Sequence, residues 1–157
     1  MRRLLLAATA TIAFLSVTPA RADIVTPYQS AAQSSRHVGY SETQIDANRV
    51  RVTFTGATGA SRESVETSLL YRAADLTLER GFDYFVIVDH NVDADMDVAR
   101  YGPPLPPIAP RRFHTETRYS ATSDILMFKG AHPANTPAAF DARAIRANLA
   151  AQVVRTH

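Results

Sequence analysis

The chain has 157 residues, with 17 basic and 15 acidic side chains and no cysteine. This length fits one domain and is sufficient for a hydrophobic core without covalent cross-links. The lack of cysteine excludes disulfides, thiol catalysis, thiolate metal sites and lipid attachment at a processed N-terminal cysteine.

The first 22 residues have the pattern of a secretory signal peptide. A basic start is followed by an apolar stretch over 4–17, which is short for a bilayer span, and residues 20–22 read Ala-Arg-Ala, an A-x-A cleavage site. We expect cleavage before Asp23 and an exported protein, periplasmic or secreted, without a transmembrane segment; an uncleaved N-terminal anchor is the alternative. Cleavage removes three arginines, so the 17 basic residues become 14 and the pI of 9.2 does not indicate nucleic-acid binding.

The next part of the chain predicts a leader and a β-hairpin. Residues 23–38 carry few large apolar side chains and are predicted to be a flexible leader. Residues 40–46 are extended, and 49–55 (RVRVTFT) alternate between apolar and polar side chains. Alternation with period two is typical of a strand with one buried face. With a tight turn at 47–48, the two segments form a predicted hairpin.

A helix and a strand are predicted next. Ser61 is a suitable N-cap, and Gly81 ends the helix after about Arg80. Residues 82–89 are apolar on both faces, which predicts a central strand covered on both sides and a right-handed βαβ crossover as one arrangement. The apolar stripe of the helix consists of Val65, Leu69, Ala73 and Leu76, widened by Leu70.

The remaining segments complete a small α+β domain. Residues 90–110 combine acids with five prolines and predict a solvated loop. The segment 111–129 predicts one long bulged strand or two short ones, and 142–154 predicts a helix with Asp141 as its N-cap. We therefore predict a single domain over 39–157. It is a two-layer sandwich of order β-β-α-β-β-α, with both helices on one face of a mixed or antiparallel sheet.

The stretch DHNVDADMD (89–97) places oxygen-bearing side chains on every second position, as calcium loops do. Asp89, Asn91 and Asp93 are therefore weak metal-ligand candidates. An EF-hand loop counted from Asp89 needs glycine at position 6 and a carboxylate at position 12, where this sequence has Ala94 and Arg100. We expect no metal here, and we interpret the stretch as the polar, solvated end of a hairpin.

No catalytic motif is present in the sequence. There is no GxSxG elbow, no HExxH pair and no phosphate-binding glycine loop. A site assembled in space from His90, His114 and nearby acids is the remaining route to a hydrolase. The segment 107–112 (PIAPRR) matches a PxxPxR pattern, but a stiff spacer is the better explanation. We predict no catalytic residue and no cofactor.

Five segments carry a family resemblance: TPYQ (26–29), GYSETQIDANRVRVTFTG (39–56), SLLYRAADLTLERGFDYFVIVD (68–89), YSATSDILMFKG (119–130) and FDARAI (140–145). Together they resemble a family of uncharacterised small bacterial envelope lipoproteins. The resemblance covers most of the chain after residue 22 and implies an envelope location, but it brings no activity, cofactor or catalytic residue. Members of that family usually carry a lipidated cysteine before the first segment; this chain has ADIV at 22–25, so we expect it not to be lipid-anchored.

The leading functional hypothesis is a non-enzymatic accessory protein that binds another envelope component. Its weak contact candidates are Tyr40, Arg49 and Arg51 on the first hairpin; the oligomeric state stays open. The alternatives are a periplasmic small-molecule or ion-binding protein and the hydrolase near His90 and His114. A pocket lined by convergent polar groups would favour the ligand-binding protein. A buried histidine with a perturbed pKa would favour the hydrolase, and a single exposed apolar patch would favour the accessory protein.

Overall fold

The computed structural model describes residues 24–100, 113–133, 136 and 138–154; the side chains of 96–100 and 113–116 are outside the described part. The predicted signal peptide and the proline-rich segment 101–110 are therefore outside it as well. In chain order the elements are a 3₁₀ turn (Ala31–Gln33), β1 (Gly39–Gln44), β2 (Arg49–Thr55), α1 (Arg62–Glu79), β3 (Tyr84–Arg100), β4 (Phe113–Phe128), β5 (Ala139–Asp141) and α2 (Ala142–Leu149).

The five strands form one antiparallel sheet with the spatial order β1-β2-β4-β3-β5. This confirms the predicted α+β class and element order, with the short strand β5 added before the last helix. The predicted crossover needs correction, because β4 lies between β2 and β3. Since β2 and β3 are both antiparallel to β4, they run parallel to each other, and β2-α1-β3 is a split βαβ unit.

Both helices lie on one face of the sheet, as predicted. Helix α1 packs on β2, β3 and β4, and α2 packs on α1, β5 and β3. The alternation of β2 explains this layer, because its valines and Phe54 point towards α1 while its arginines and threonines point away. The main core residues are Val50, Val52, Phe54, Val65, Leu69, Ala73, Leu76, Phe85, Ala121, Ile125 and Met127.

The helix ends follow their capping residues. The Ser61 side chain accepts a hydrogen bond from the Ser64 amide at 3.2 Å, and Gly81 (φ 76°) follows the C-cap of α1, as predicted. The Asp141 side chain accepts from the Ala144 amide at 2.8 Å and begins α2. Helix α2 ends at Leu149, so the prediction of a helix to residue 154 is wrong for its last part.

Strand β3 contains the acidic stretch, which corrects the predicted loop at 90–110 for residues 90–100. The polar residues at every second position of this stretch are therefore part of a strand and not of a loop. A β-bulge lies between Ile87 and Asp89, where β3 gains one residue against β4. Ile87 faces the core opposite Ile125; after the bulge, His90 pairs with Ser123. The bulge therefore leaves Asp89, Asp93 and Asp95 facing away from the helices.

The sheet face opposite the helices, here called the outer face, has no covering layer within the described residues. This corrects the prediction that 82–89 is buried on both sides: Val88 on the bulge is 48% exposed. Strand β4 is continuous from Phe113 to Phe128, so the choice between one strand and two is settled in favour of one. The register shift lies in its partner β3.

The segment 24–38, here called the N-terminal strap, packs against the domain. The prediction of a flexible leader is therefore wrong for these residues. Thr26 is buried, and its hydroxyl accepts a hydrogen bond from the Ala57 amide at 2.8 Å. The Tyr28 amide donates to the carbonyl of Val154 at 2.8 Å, which joins the strap to the chain after α2. The strap is held mostly by backbone hydrogen bonds, which leave no hydrophobic period in the sequence.

Candidate ligand-binding pocket

The two arginines predicted as contact residues bind a buried carboxylate on the outer face. Asp124 is 2% exposed, and its carboxylate accepts hydrogen bonds from Arg51 at 2.6 and 3.0 Å and from Arg49 at 2.9 Å. The hydrogen bonds from Arg51, and then that from Arg49, hold the pKa of Asp124 below its usual range, although desolvation opposes this shift. Arg49 and Arg51 are therefore engaged within the sheet.

This arrangement predicts a pH-dependent stability term. The folded-state pKa of Asp124 is below the unfolded value of about 3.9, so the ion pairs stabilise the fold above that value. Their contribution is lost as the pH falls through the folded-state pKa. Because both arginines remain partly solvated, we expect Asp124→Asn to cost only roughly 1 kcal/mol at pH 7.

The measurement is urea unfolding of the wild type and Asp124→Asn at several pH values. The stability gap between them should close as the pH falls below about 4. Asp46→Asn, an exposed change in the turn of the first hairpin, is the control. A gap that stays constant with pH would contradict the role of the Asp124 charge.

The third predicted contact residue, Tyr40, lies on the opposite side of the sheet. Its ring packs under the Arg72 guanidinium, whose Cζ is 4.3 Å from the ring centroid. Arg72 is 7% exposed and binds Glu79 through two hydrogen bonds of 3.0 Å and Glu42 at 2.6 Å. Tyr40, Arg49 and Arg51 therefore do not form one surface.

The Arg72 cluster also fixes the strap. The Tyr28 hydroxyl donates to Asp75 at 3.2 Å, and the Tyr28 ring contacts those of Tyr40 and Tyr71 at 5.1 Å between centroids. Burial raises the pKa of Tyr28, so this hydroxyl keeps its proton at neutral pH. Asp75 therefore links the strap to α1. The cluster explains strap docking rather than a reaction.

The weak metal candidates lie on the outer face of β3. The Asn91 amide donates to both carboxylate oxygens of Asp93 at 3.0 and 3.1 Å. Asp89 is paired with Asp124 in the sheet register and lies near the Arg51 cation. Within the described residues, no group of three histidine, aspartate or glutamate side chains is placed to hold a metal ion. The absence of a bound metal stays a prediction.

The structure joins His90 to a residue that the sequence did not single out. His90 Nδ1 and Ser123 Oγ lie 2.7 Å apart across β3 and β4. Ser123 is 2% exposed, whereas His90 is exposed to solvent. The side chain of His114 is outside the described part, so the alternative of a hydrolase site built from His90 and His114 lies outside the described residues as well.

The His90–Ser123 pair lies at a small, mostly apolar pocket between α1 and the sheet. The cavity has a volume of about 200 Å³ and is partly closed to solvent. Glu66 also lines the cavity, and its carboxylate is bound by Arg62 at 2.7 Å. The apolar walls come from α1, β3, β4 and β5, and they consist of Leu69, Leu70, Ala73, Ile87, Ile125 and Phe140.

The pair has the chemistry of a hydrogen-bonding anchor. A serine hydroxyl can donate one hydrogen bond and accept two, and one bond is used by His90. Acyl transfer would also need amide donors aimed at a developing oxyanion. Ser123 lies inside β4, which is hydrogen-bonded to β2 and β3 on both sides, so the local amides belong to the sheet.

A second, larger depression lies between the two helices. It has a volume of about 690 Å³ and is open to solvent. Its two cations are already engaged, because Arg146 binds Asp75 at 3.3 Å and Arg143 binds Asp83 at 3.0 Å. An open groove whose charges are satisfied offers little enclosed area to a small ligand, so the smaller pocket is the better candidate.

The chain matches no protein-family model, no curated protein and no solved structure. Within the part of the chain that the structure describes, no helix has the length and apolar character needed to cross a membrane.

One sequence signal could have identified Ser123. It shares its parity in β4 with Ala121, Ile125 and Met127, and that parity faces the core. A serine on the buried face of a strand needs a hydrogen-bond partner. The partner His90 is 33 residues away, and the bulge before it changes the parity of β3. Sequence periodicity alone therefore could not bring the two together.

Proposed function

We propose that this protein is a non-enzymatic binding protein of the cell envelope, and that the pocket beside α1 binds a small, largely apolar molecule. The observation that carries the proposal is a partly closed, mostly apolar cavity with one hydrogen-bonded polar pair, His90 and Ser123, at its wall. Apolar walls with a few placed polar groups are typical of ligand sites. The exported location expected from residues 1–22 belongs to the same proposal.

The size of the cavity limits the ligand. An apolar cavity of about 150 Å³ is known to bind benzene, so 200 Å³ suits one substituted ring or a short alkyl chain. A typical drug-sized site is larger, at roughly 300–1,000 Å³. The pocket therefore favours a molecule of one ring over a bulky cofactor.

The test uses toluene as a probe and methyl NMR as the readout. We expect saturable shifts of the Leu69, Leu70 and Ile87 methyl signals in the wild type, because these side chains form the walls. Ala73→Leu should remove the shifts, since Ala73 also lines the cavity and a leucine there would fill it. Ala147→Leu in the open groove makes the same change elsewhere and should leave the shifts intact.

The same variant makes a prediction about stability. If the cavity is open, Ala73→Leu places three additional carbons in apolar surroundings and should raise the unfolding free energy by about 1 kcal/mol after packing costs. If the walls are already in contact, the added carbons would overpack the core and cost about 1–3 kcal/mol. Urea unfolding shows whether Ala73→Leu raises or lowers the free energy of unfolding. A lower free energy of unfolding, together with toluene-induced methyl shifts equal to those of the wild type, would contradict the proposal.

An accessory protein that binds another envelope protein is the second candidate. It is favoured by the apolar side chain of Val88, which is 48% exposed on the uncovered outer face. Val86 and Leu126, which are paired across β3 and β4, lie near it on the same face. A photo-crosslinker placed at Val88 in cells should then capture one reproducible partner, and one at Ala147 should not. Equal capture from both positions would count against this candidate.

A further inference from the structure

We infer that the ligand of this pocket is neutral and carries a single hydroxyl group, which binds the His90–Ser123 pair while the apolar part lies against α1. This inference rests on the proposed function and specifies its ligand class. A small phenol, or an alcohol of similar size, fits the description.

The pair has unused hydrogen-bonding capacity. Within the part of the chain that the structure describes, Ser123 Oγ has one hydrogen-bond partner, His90, at 2.7 Å, and the serine is almost fully buried. A hydroxyl can donate one hydrogen bond and accept two, so the Ser123 hydroxyl can form two more hydrogen bonds. A ligand hydroxyl can donate to or accept from such a group, which makes it complementary whichever way the Ser123 proton points.

The charges around the pocket favour a neutral ligand. Among the described residues, none of those that line the pocket is a lysine or an arginine. A carboxylate ligand would therefore lose hydration without a lysine or arginine in the wall to pair with it, and Glu66, which also lines the pocket, carries a like charge. Glu66 is already bound by Arg62, so it offers little to a cationic ligand. A neutral ligand avoids both costs.

The geometry of the cavity also favours one polar group at one end of the ligand. The pair lies on strands β3 and β4, and the facing helix α1 contributes three of the six apolar lining residues, Leu69, Leu70 and Ala73. Ile87, Ile125 and Phe140 continue the apolar lining on the sheet side, so the pair is a single hydrogen-bonding position within apolar surroundings. A ligand with its polar group at one end satisfies the pair and the apolar lining at once, while a purely apolar ligand leaves the Ser123 capacity unused.

The experiment compares toluene, p-cresol and p-toluate in methyl NMR titrations of the full chain. These probes share one ring and one methyl group and differ in the remaining substituent. One additional hydrogen bond corresponds to roughly fivefold tighter binding for p-cresol than for toluene. For p-toluate we expect binding on the order of 100-fold weaker than p-cresol, because its carboxylate is not compensated.

Two variants identify the group responsible. Ser123→Ala should remove the preference for p-cresol and leave toluene binding unchanged. Thr122→Ala is the matched control, because Thr122 forms a similar cross-strand hydroxyl pair with Thr53 at 3.0 Å on the outer face. It should retain the preference. If Ser123→Ala proves unstable, Ser123→Thr keeps the hydroxyl and should keep the preference.

The outcomes separate this inference from the proposed function. If no probe shifts the pocket methyl signals, the proposed function itself fails. If toluene binds but p-cresol binds no more tightly, the pocket is real and the hydroxyl assignment is overturned. Tighter binding of p-toluate would overturn the neutral character, and a preference that survives Ser123→Ala would exclude the His90–Ser123 pair as the anchor.

Discussion

Arg72→Ala is expected to lower the free energy of unfolding by about 3 kcal/mol, the largest loss that we predict for a charged residue in this protein. Breaking a buried ion pair costs about 3–5 kcal/mol, because the partners stay behind without their cation. We take the lower value since Glu79, one of the partners, is 51% exposed and can regain water. The loss combines ion pairs to Glu42 and Glu79 with the contact to the Tyr40 ring.

Two variants on the same helix make this prediction specific. Arg62→Ala removes an exposed pair with Glu66, for which a loss below about 0.5 kcal/mol is expected. Arg72→Lys keeps a charge but cannot form the two parallel bonds to Glu79, so its loss should be intermediate. The measurement is urea unfolding at pH 7. Equal losses for Arg72→Ala and Arg62→Ala would show that burial of the cluster contributes nothing.

Gly39→Ala is the second prediction with a large effect, because residue 39 begins β1 where the strap crosses it. Gly39 has φ of 117°, and a Cβ there would overlap the carbonyl oxygen of Gln29. That carbonyl accepts the Tyr40 amide at 2.9 Å and holds the strap to β1. We expect a loss of about 3 kcal/mol, combining backbone strain with displacement of the strap.

The control for this change is Gly130→Ala. Gly130 also has a positive φ, 101°, but among the described residues no atom beyond its two chain neighbours lies within 4 Å of a Cβ built there. Its loss should reflect backbone strain alone, about 1–2 kcal/mol. Hydrogen exchange adds a local readout: the Tyr28 and Tyr40 amides should lose protection in Gly39→Ala and keep it in Gly130→Ala. Equal losses and equal exchange would contradict a constraint by the strap.

The sequence predicted the parts of the fold in which one residue pattern determines one element. The alternation of 49–55 identified β2, and the Ser61 cap and Gly81 identified both ends of α1. Element order and the position of the helices followed from those patterns because one face of each element had to be buried together. Local chemistry was sufficient for these features.

The parts that the sequence did not predict depend on contacts between distant residues. The strap appeared flexible because its binding uses backbone bonds and tyrosine rings, as at Tyr28, rather than a hydrophobic stripe. The sequence of the acidic half of β3 predicts a loop because polar residues occupy its solvated outer face and the inner-face residue Ala94 is itself exposed. The pocket depends on the β3–β4 register, which pairs His90 with Ser123 only after the bulge.

The most direct test of the central claim is a crystal structure of the protein with p-cresol soaked in. The account predicts electron density for the ring between Leu69, Ile87 and Phe140, with the phenol oxygen within hydrogen-bonding distance of Ser123 Oγ or His90. Crystals of Ala73→Leu, soaked in the same way, should lack this density. Density that appears only in the open groove lined by Arg143 and Arg146, or in neither place when the NMR titration is saturated, would contradict the assignment of the pocket as the binding site.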